Sequence, residues 1–192
     1  SSDSRFVPFR EPHGFHEHVA VIVGDREHWP DPVPVRLHSA CLTGDVFGSL
    51  RCDCGEQLRG SMDLFRDSGG GVLVYLAQEG RGIGLGNKFR AYTLQEDGLD
   101  TIEADRILGF GPDERSYGVA ASILDYVGVK RVELLTNNPE KVRAMQDAGI
   151  EVVNRRPLHG TLNRHNRPYV EAKVNRAGHW LHDMLAQPIR GD

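Results

Sequence analysis

The chain has 192 residues, 39% hydrophobic and 26% charged, with a net charge of -4 and three cysteines. That length suits one domain with a sizeable core, and the composition is that of an ordinary soluble globular protein. The balance excludes a basic nucleic-acid-binding face, no apolar run approaches the ~18 residues of a membrane span, and three cysteines without an export signal suit a reducing compartment.

Residues 1–15 carry charges and prolines without periodicity, and are expected to form a flexible or loosely docked arm. His16 to Val23 reads as a strand ended by Gly24-Asp25. His13, His16 and His18 are metal ligands by type, but a surface or polar-face role explains them better. Pro30 to Pro34 is a stiff extended linker into a strand from Val33 to His38.

Next comes Cys41-Leu-Thr-Gly-Asp-Val-Phe-Gly-Ser-Leu-Arg-Cys52-Asp-Cys54. Thiolates are good zinc ligands, and three protein ligands leave a fourth position for water. The alternative is buried small hydrophobes, or one disulfide and a spare thiol. Two features favour a metal. Cys52 and Cys54 are poorly placed to bridge each other, and their neighbours Thr43, Asp45, Ser49, Arg51 and Asp53 are polar.

Apolar residues at 58, 62 and 65 predict a helix from Gly55, ended by Ser68 to Gly71. Val72 to Ala77 is a continuous apolar run, as in a strand buried on both faces. It enters Gln78-Glu-Gly-Arg-Gly-Ile-Gly-Leu-Gly-Asn-Lys88, a glycine loop before a helix over 89–95 that carries Tyr92. Glycines at 80, 82, 84 and 86 let backbone amides approach an anion, with Arg81 and Lys88 supplying charge. The spacing fits neither a Walker loop nor a dinucleotide fingerprint.

A short helix follows over 101–109, then a loop holding Asp113 and Arg115, then a helix over 117–127. Asp113 suits an N-cap as well as a functional role. Val132 to Leu135 is a buried-type strand leading into Thr136-Asn-Asn-Pro139 and a helix over 140–148. Lys141 in that helix's first turn opposes the dipole, which a bound anion would explain. A strand over 149–154 follows, and a weak helix over 169–185 ends the pattern. Alternating strands and helices make this an α/β protein, a single domain with a mixed sheet flanked by helices. The expected division is an arm at 1–15, a catalytic region at 16–175 and a tail at 176–192. The polar loops lie where α/β sheets gather ligands, so they could converge on one pocket.

Three stretches resemble the GTP cyclohydrolase II family of riboflavin biosynthesis: Arg36 to Gln57, Gln78 to Leu85, and Leu135 to Lys141. The resemblance implies a homodimer that opens the imidazole ring of GTP, releasing formate and pyrophosphate; composition and charge add the expectation of a cytoplasmic setting with no nucleic-acid or membrane partner. It implies one zinc per subunit on Cys41, Cys52 and Cys54, whose water attacks the imidazole carbon, and magnesium with the triphosphate. By the same resemblance Arg115 is the nucleophile toward the α-phosphate, Asp113 the proton acceptor, and Tyr92 the residue associated with complete deformylation. Arg36, Leu37, His38, Ser39, Gln57, Glu79, Gly80, Arg81, Thr101, Thr136 and Lys141 correspond to positions that bind GTP. One departure stands out: Ala40 occupies a position where the family commonly has glutamate. No dihydroxybutanone-phosphate synthase domain is expected within these residues.

Overall fold

The structure, a computed structural model, describes residues 4–11, 14, 16–99, 101–111 and 113–189, excluding the side chains of residues 101 and 102. In chain order the elements are strands β1 (Ser4–Arg10), β2 (Glu17–Val23) and β3 (Val33–Ser39), then helices α1 (Leu42–Asp45) and α2 (Cys54–Asp67). Strand β4 (Gly71–Leu76) precedes a 3-10 turn at Glu79–Gly82, then α3 (Gly84–Glu96), α4 (Thr101–Ile107) and α5 (Gly118–Tyr126). Strand β5 (Arg131–Leu135), α6 (Pro139–Asp147), β6 (Glu151–Arg156), α7 (Arg167–Ala177) and α8 (His182–Leu185) complete the chain.

Among the described residues the strands form one six-stranded sheet in the order β1-β2-β4-β3-β5-β6. It is mixed: β2 runs antiparallel to β1 and β4, whereas β3, β5 and β6 run parallel. The α/β class and the mixed sheet are therefore as the sequence indicates. The chain divides into two compact units, residues 1–38, 57–77 and 116–158, and residues 39–56, 78–115 and 159–192.

The first unit holds the sheet. Period-2 alternation sends Ala20, Ile22, Val72, Val74, Leu76, Val132 and Leu134 to one face. There they pack with Ala120, Ile123 and Leu124 of α5 and Met145 of α6. The intervening residues Val21, Val23, Leu73 and Leu135 meet Leu58, Met62 and Phe65 of α2 on the other face. Both faces are covered, which explains the continuous apolar run in β4. Helix α6 starts as its sequence dictates, with Asn138 accepting a hydrogen bond from the Glu140 amide (2.8 Å) and Pro139 in the first turn.

The second unit is organised around short helices. Leu162, Val170, Val174, Leu181 and Met184 form a small core that joins α7 to α8.

Four expectations are corrected. Residues 4–10 are a strand, not a loose arm: Arg5-Phe-Val-Pro-Phe-Arg alternates, and Val7 and Phe9 lie against the core. Pro8 is tolerated because β1 is an edge strand. The glycine loop is shorter than its composition suggests, and α3 begins already at Gly84. The single helix expected over 169–185 is broken at Gly178, whose φ of 63° ends α7 in a left-handed cap. His18 is buried, accepts a hydrogen bond from the Ala77 amide (3.1 Å), and has its pKa lowered by burial. His13 lies outside the described residues. Among the described residues no helix is long and apolar enough to cross a membrane.

Gly71 leaves room for the Phe65 ring: a Cβ there would sit 2.4 Å from Phe65 Cδ1. Phe65 is fully buried. Phe65→Ala is therefore expected to lower unfolding free energy by about 3–5 kcal/mol, measured by urea denaturation followed by circular dichroism.

Candidate active site

The second unit gathers all three cysteines. Cys41 precedes α1, whose Asp45 carboxylate accepts the Cys41 amide hydrogen bond (3.0 Å). Cys52 lies in the following turn and Cys54 opens α2. The three Sγ atoms all lie within 4.8 Å of one another, and those of Cys41 and Cys52 are 3.6 Å apart. A disulfide needs about 2.0 Å, and the cysteines are free, so the bridge alternative falls away. Tetrahedral zinc at about 2.3 Å from each sulfur would set the sulfurs about 3.8 Å apart.

Gly44 makes this convergence possible. A Cβ there would meet Cys52 Sγ at 2.8 Å, Cys54 Cβ at 3.2 Å and Cys41 Sγ at 3.3 Å. The donor set and its spacing fit a metal such as zinc. Hydrogen bonds from the Cys52 and Cys54 thiols stabilise a Cys41 thiolate and drive its pKa far down, with help from Lys88. The same bond to Cys41 pushes the Cys52 thiol up to about 11, and Cys54 rises for the same reason.

Lys88 sits differently from its sequence reading. Its Nζ lies 3.2 Å from Cys41 Sγ, 3.0 Å from Thr43 Oγ1 and 2.9 Å from Glu79 Oε1, and the residue is buried. Burial opposes its charge, but the bond to Glu79 and the charge on Cys41 outweigh that and raise its pKa. The ammonium therefore serves the cysteine cluster. The other Glu79 oxygen accepts from the Leu42 amide (2.7 Å), tying the glycine loop to α1.

The glycine loop carries backbone strain. Gly80 and Arg81 adopt φ of 61° and 59°, a left-handed conformation unusual for arginine. The Arg81 guanidinium lies 3.9 Å from the Asp105 carboxylate and 5.8 Å from the Tyr169 ring. The Arg81 carbonyl accepts from the Glu114 amide (3.0 Å), and a Cβ on Gly82 would meet the Glu114 backbone at 2.9 Å. The loop thus holds Glu114 and its described neighbours close.

Among those neighbours Asp113 accepts two hydrogen bonds from the Arg115 guanidinium, from Nε at 2.8 Å and Nη2 at 2.5 Å. It also accepts the Arg115 amide (3.1 Å). Asp113 is not a helix cap: α5 has no side-chain cap bond. Burial alone would raise its pKa, but the bonds to Arg115 reverse that and lower it. Tyr92 projects from α3 beneath the Arg51 guanidinium, 4.9 Å from its ring, and burial raises its pKa, keeping the phenol neutral. A cavity of about 420 Å³ is lined by the three cysteines together with Ser39, Ala40, Glu79, Gly80, Arg81, Tyr92 and Arg115. This size suits a small-molecule ligand.

The first unit holds Arg36, Leu37, His38, Gln57, Thr136 and Lys141, whereas Thr101 belongs to the second. Arg36 donates to the Leu135 carbonyl (2.9 Å) and to Gln57 Oε1 (2.6 Å). Lys141 reaches back to the Leu37 carbonyl (2.8 Å) and lies 5.4 Å from the Tyr117 ring, so its position in α6 does not require an anion. Thr136 accepts from the Asn138 amide (3.0 Å), and His38 stacks on Tyr75. Of Thr101 the backbone lies in α4; its side chain is outside the described residues.

Sequence reasoning missed Asp53, Tyr169 and Lys173. Lys173 donates to the fully buried Asp53 carboxylate (3.0 Å), and Tyr169 lines the cavity. Asp53, flanked by two cysteines, carried a signal; the α7 residues carried none.

The chain matches the model of the GTP cyclohydrolase II family over residues 1–157. It is 52% identical over 166 residues to the riboflavin biosynthesis protein RibBA of Bacillus subtilis, covering 86% of this chain and 42% of that protein. It is 49% identical over 178 residues to RibBA of Phocaeicola vulgatus, covering 93% of this chain and 44% of that protein. A Haemophilus influenzae GTP cyclohydrolase-2 is 50% identical over 177 residues, 92% of this chain and 82% of that protein. The chain therefore spans less than half of the RibBA relatives and most of the GTP cyclohydrolase-2. It belongs to the GTP cyclohydrolase II family.

The Asp113–Arg115 pair gives a pH prediction. A carboxylate with a depressed folded pKa contributes stability above its unfolded value of about 3.9, lost as pH falls through the folded value. Urea midpoints from pH 6 down to about 3 should therefore fall more steeply for the native chain than for Asp113→Asn. Parallel curves would show that the pair contributes no such linkage.

Proposed function

We propose that this chain, as a member of that family, hydrolyses GTP to formate, pyrophosphate and a diaminopyrimidinone ribosylamino phosphate, a step in riboflavin biosynthesis. The observation that carries this reading is the single cavity lined by Cys41, Cys52, Cys54, the Glu79-Gly80-Arg81 loop and Arg115. The reaction consumes three waters: one opens the imidazole ring, one removes the formyl group, and one completes cleavage at the α-phosphorus.

Cys41, Cys52 and Cys54 hold zinc in this reading, and Lys88 balances part of their charge. When bound, zinc supplies Lewis acidity and an activated water for attack on the imidazole carbon. Arg115 attacks the α-phosphorus through a guanidinium nitrogen, pyrophosphate leaves, and Asp113 takes the released proton. Its lowered pKa keeps that carboxylate ionised. The nucleotidyl-arginine is then hydrolysed. Tyr92, neutral and lining the cavity, supports complete deformylation. Arg36, Leu37, His38, Ser39, Gln57, Glu79, Gly80, Arg81, Thr101, Thr136 and Lys141 are assigned to GTP, with magnesium on the triphosphate.

Three free thiols support a cytoplasmic, reducing setting. Val46, Phe47 and Leu50, all largely exposed, support a homodimer. A second reading, a relative that stops at the formamidopyrimidine, is favoured by Ala40 on the cavity wall where a carboxylate was expected.

Product analysis with zinc, magnesium and GTP separates the two. Equimolar formate and pyrophosphate support the full reaction, and pyrophosphate without formate supports the shorter one. Arg115→Ala should lower pyrophosphate release by at least about 10³-fold while zinc content stays unchanged; undiminished release would remove its assigned role. Cys54→Ser should lose bound metal and ring opening together, and ring opening by metal-free protein would overturn the zinc assignment.

A further inference from the structure

The segment after residue 157 lies beyond the family match, yet it grips the turn that presents two of the three cysteines. Asp53, between Cys52 and Cys54, has a side chain with no exposed surface. Its Oδ1 accepts a hydrogen bond of 3.0 Å from Lys173 of α7, whose side chain is 12% exposed. The same ammonium lies 4.2 Å from the ring of Tyr169, one helical turn earlier.

A second grip comes from the loop before α7. The Thr161 amide donates to Glu56 Oε2, two residues beyond Cys54, at 2.5 Å. A Cβ on Gly160 would stand 2.6 Å from Asp53 Cβ and 2.5 Å from Glu56 Oε2, so only glycine lets that backbone settle here. The gripping segment is itself fixed. Asn166, fully buried, donates to the Thr161 carbonyl (2.8 Å) and accepts from the Asn163 amide (2.9 Å). Val170 and Val174 anchor α7 in the small core with Leu162, Leu181 and Met184.

A metal site with flexible ligands must order them on binding, whereas one with a fixed ligand turn does not. We propose that residues 159–185 form a latch that presets the Cys52-Asp53-Cys54 turn for metal, with Lys173 as its positioning residue. Lys173 is not among the residues lining the cavity; it acts through Asp53. The inference rests on the metal reading above.

The test is zinc release from the full chain to a chromogenic chelator, independent of GTP turnover. Lys173→Met should release zinc about 10- to 100-fold faster, with Lys173→Arg close to the native rate. In zinc-stripped protein, disulfide reagents should also modify the cysteines faster in Lys173→Met than in the native chain. Because Lys173→Met leaves Asp53 buried without its ammonium, the double variant Asp53→Asn with Lys173→Met keeps the test open should the single variant misfold. The double variant should also lose zinc faster than native protein. Native release and thiol modification rates in folded Lys173→Met, or in the double variant, would overturn the latch. Native protein that holds no zinc would overturn the metal reading and the latch with it.

Discussion

Negative charge concentrated on three sulfurs is the constraint that shapes the second unit. Sγ atoms within 4.8 Å of one another cannot all ionise unless cations stand close by. In the protein alone the shifts are uneven: hydrogen bonds from Cys52 and Cys54 push the Cys41 thiol down, and the same bonds push those two up. Lys88 adds one positive charge, and Glu79 takes part of it back. A divalent cation is the simplest complement to such a cluster. Gly44, which leaves space beneath the sulfurs, is the steric counterpart of that electrostatic demand.

The same carboxylate links the cysteine cluster to the glycine loop. One Glu79 oxygen accepts from Lys88 and from the Gly80 amide, and the other accepts from the Leu42 amide. Arg81 is thereby held in a left-handed conformation that costs an arginine roughly 1–2 kcal/mol. A glycine would relieve that strain but would remove the guanidinium from the cavity wall. Strain of this kind clusters at ligand sites, which agrees with the place of Arg81 on the cavity wall.

The strands of the sheet were legible because each is a run of four or more apolar or alternating residues bounded by glycine, proline or polar loops. The arm at 4–10 was not, because a Pro and two terminal arginines mask an alternation that matters only once β2 is beside it. The cysteine spacing pointed to a group able to hold a metal, and the three sulfurs do converge. Lys88 has a partner the sequence did not indicate: a lysine after a glycine loop matches an anion site, and sequence does not reveal a cysteine sulfur 3.2 Å away. Arg36, Thr136 and Lys141 were found in one unit and the cysteines, Arg81 and Arg115 in the other. Chain order alone did not indicate that partition.

The pairing of Lys173 with Asp53 was invisible to pattern reading because it spans 120 residues of chain. A buried ion pair is weak evidence for stability, since two desolvated charges seldom outperform two apolar side chains of similar volume. Its usefulness lies in direction. An apolar pair would fill the space beside the cysteine turn but accept several rotations of the backbone there. A carboxylate that must meet an ammonium, beside a glycine that excludes every other approach, accepts few. Cys52 and Cys54 flank that carboxylate, so fixing Asp53 fixes both sulfurs. The residues holding the ligand turn thus come from a helix that sequence periodicity rendered as a weak tail.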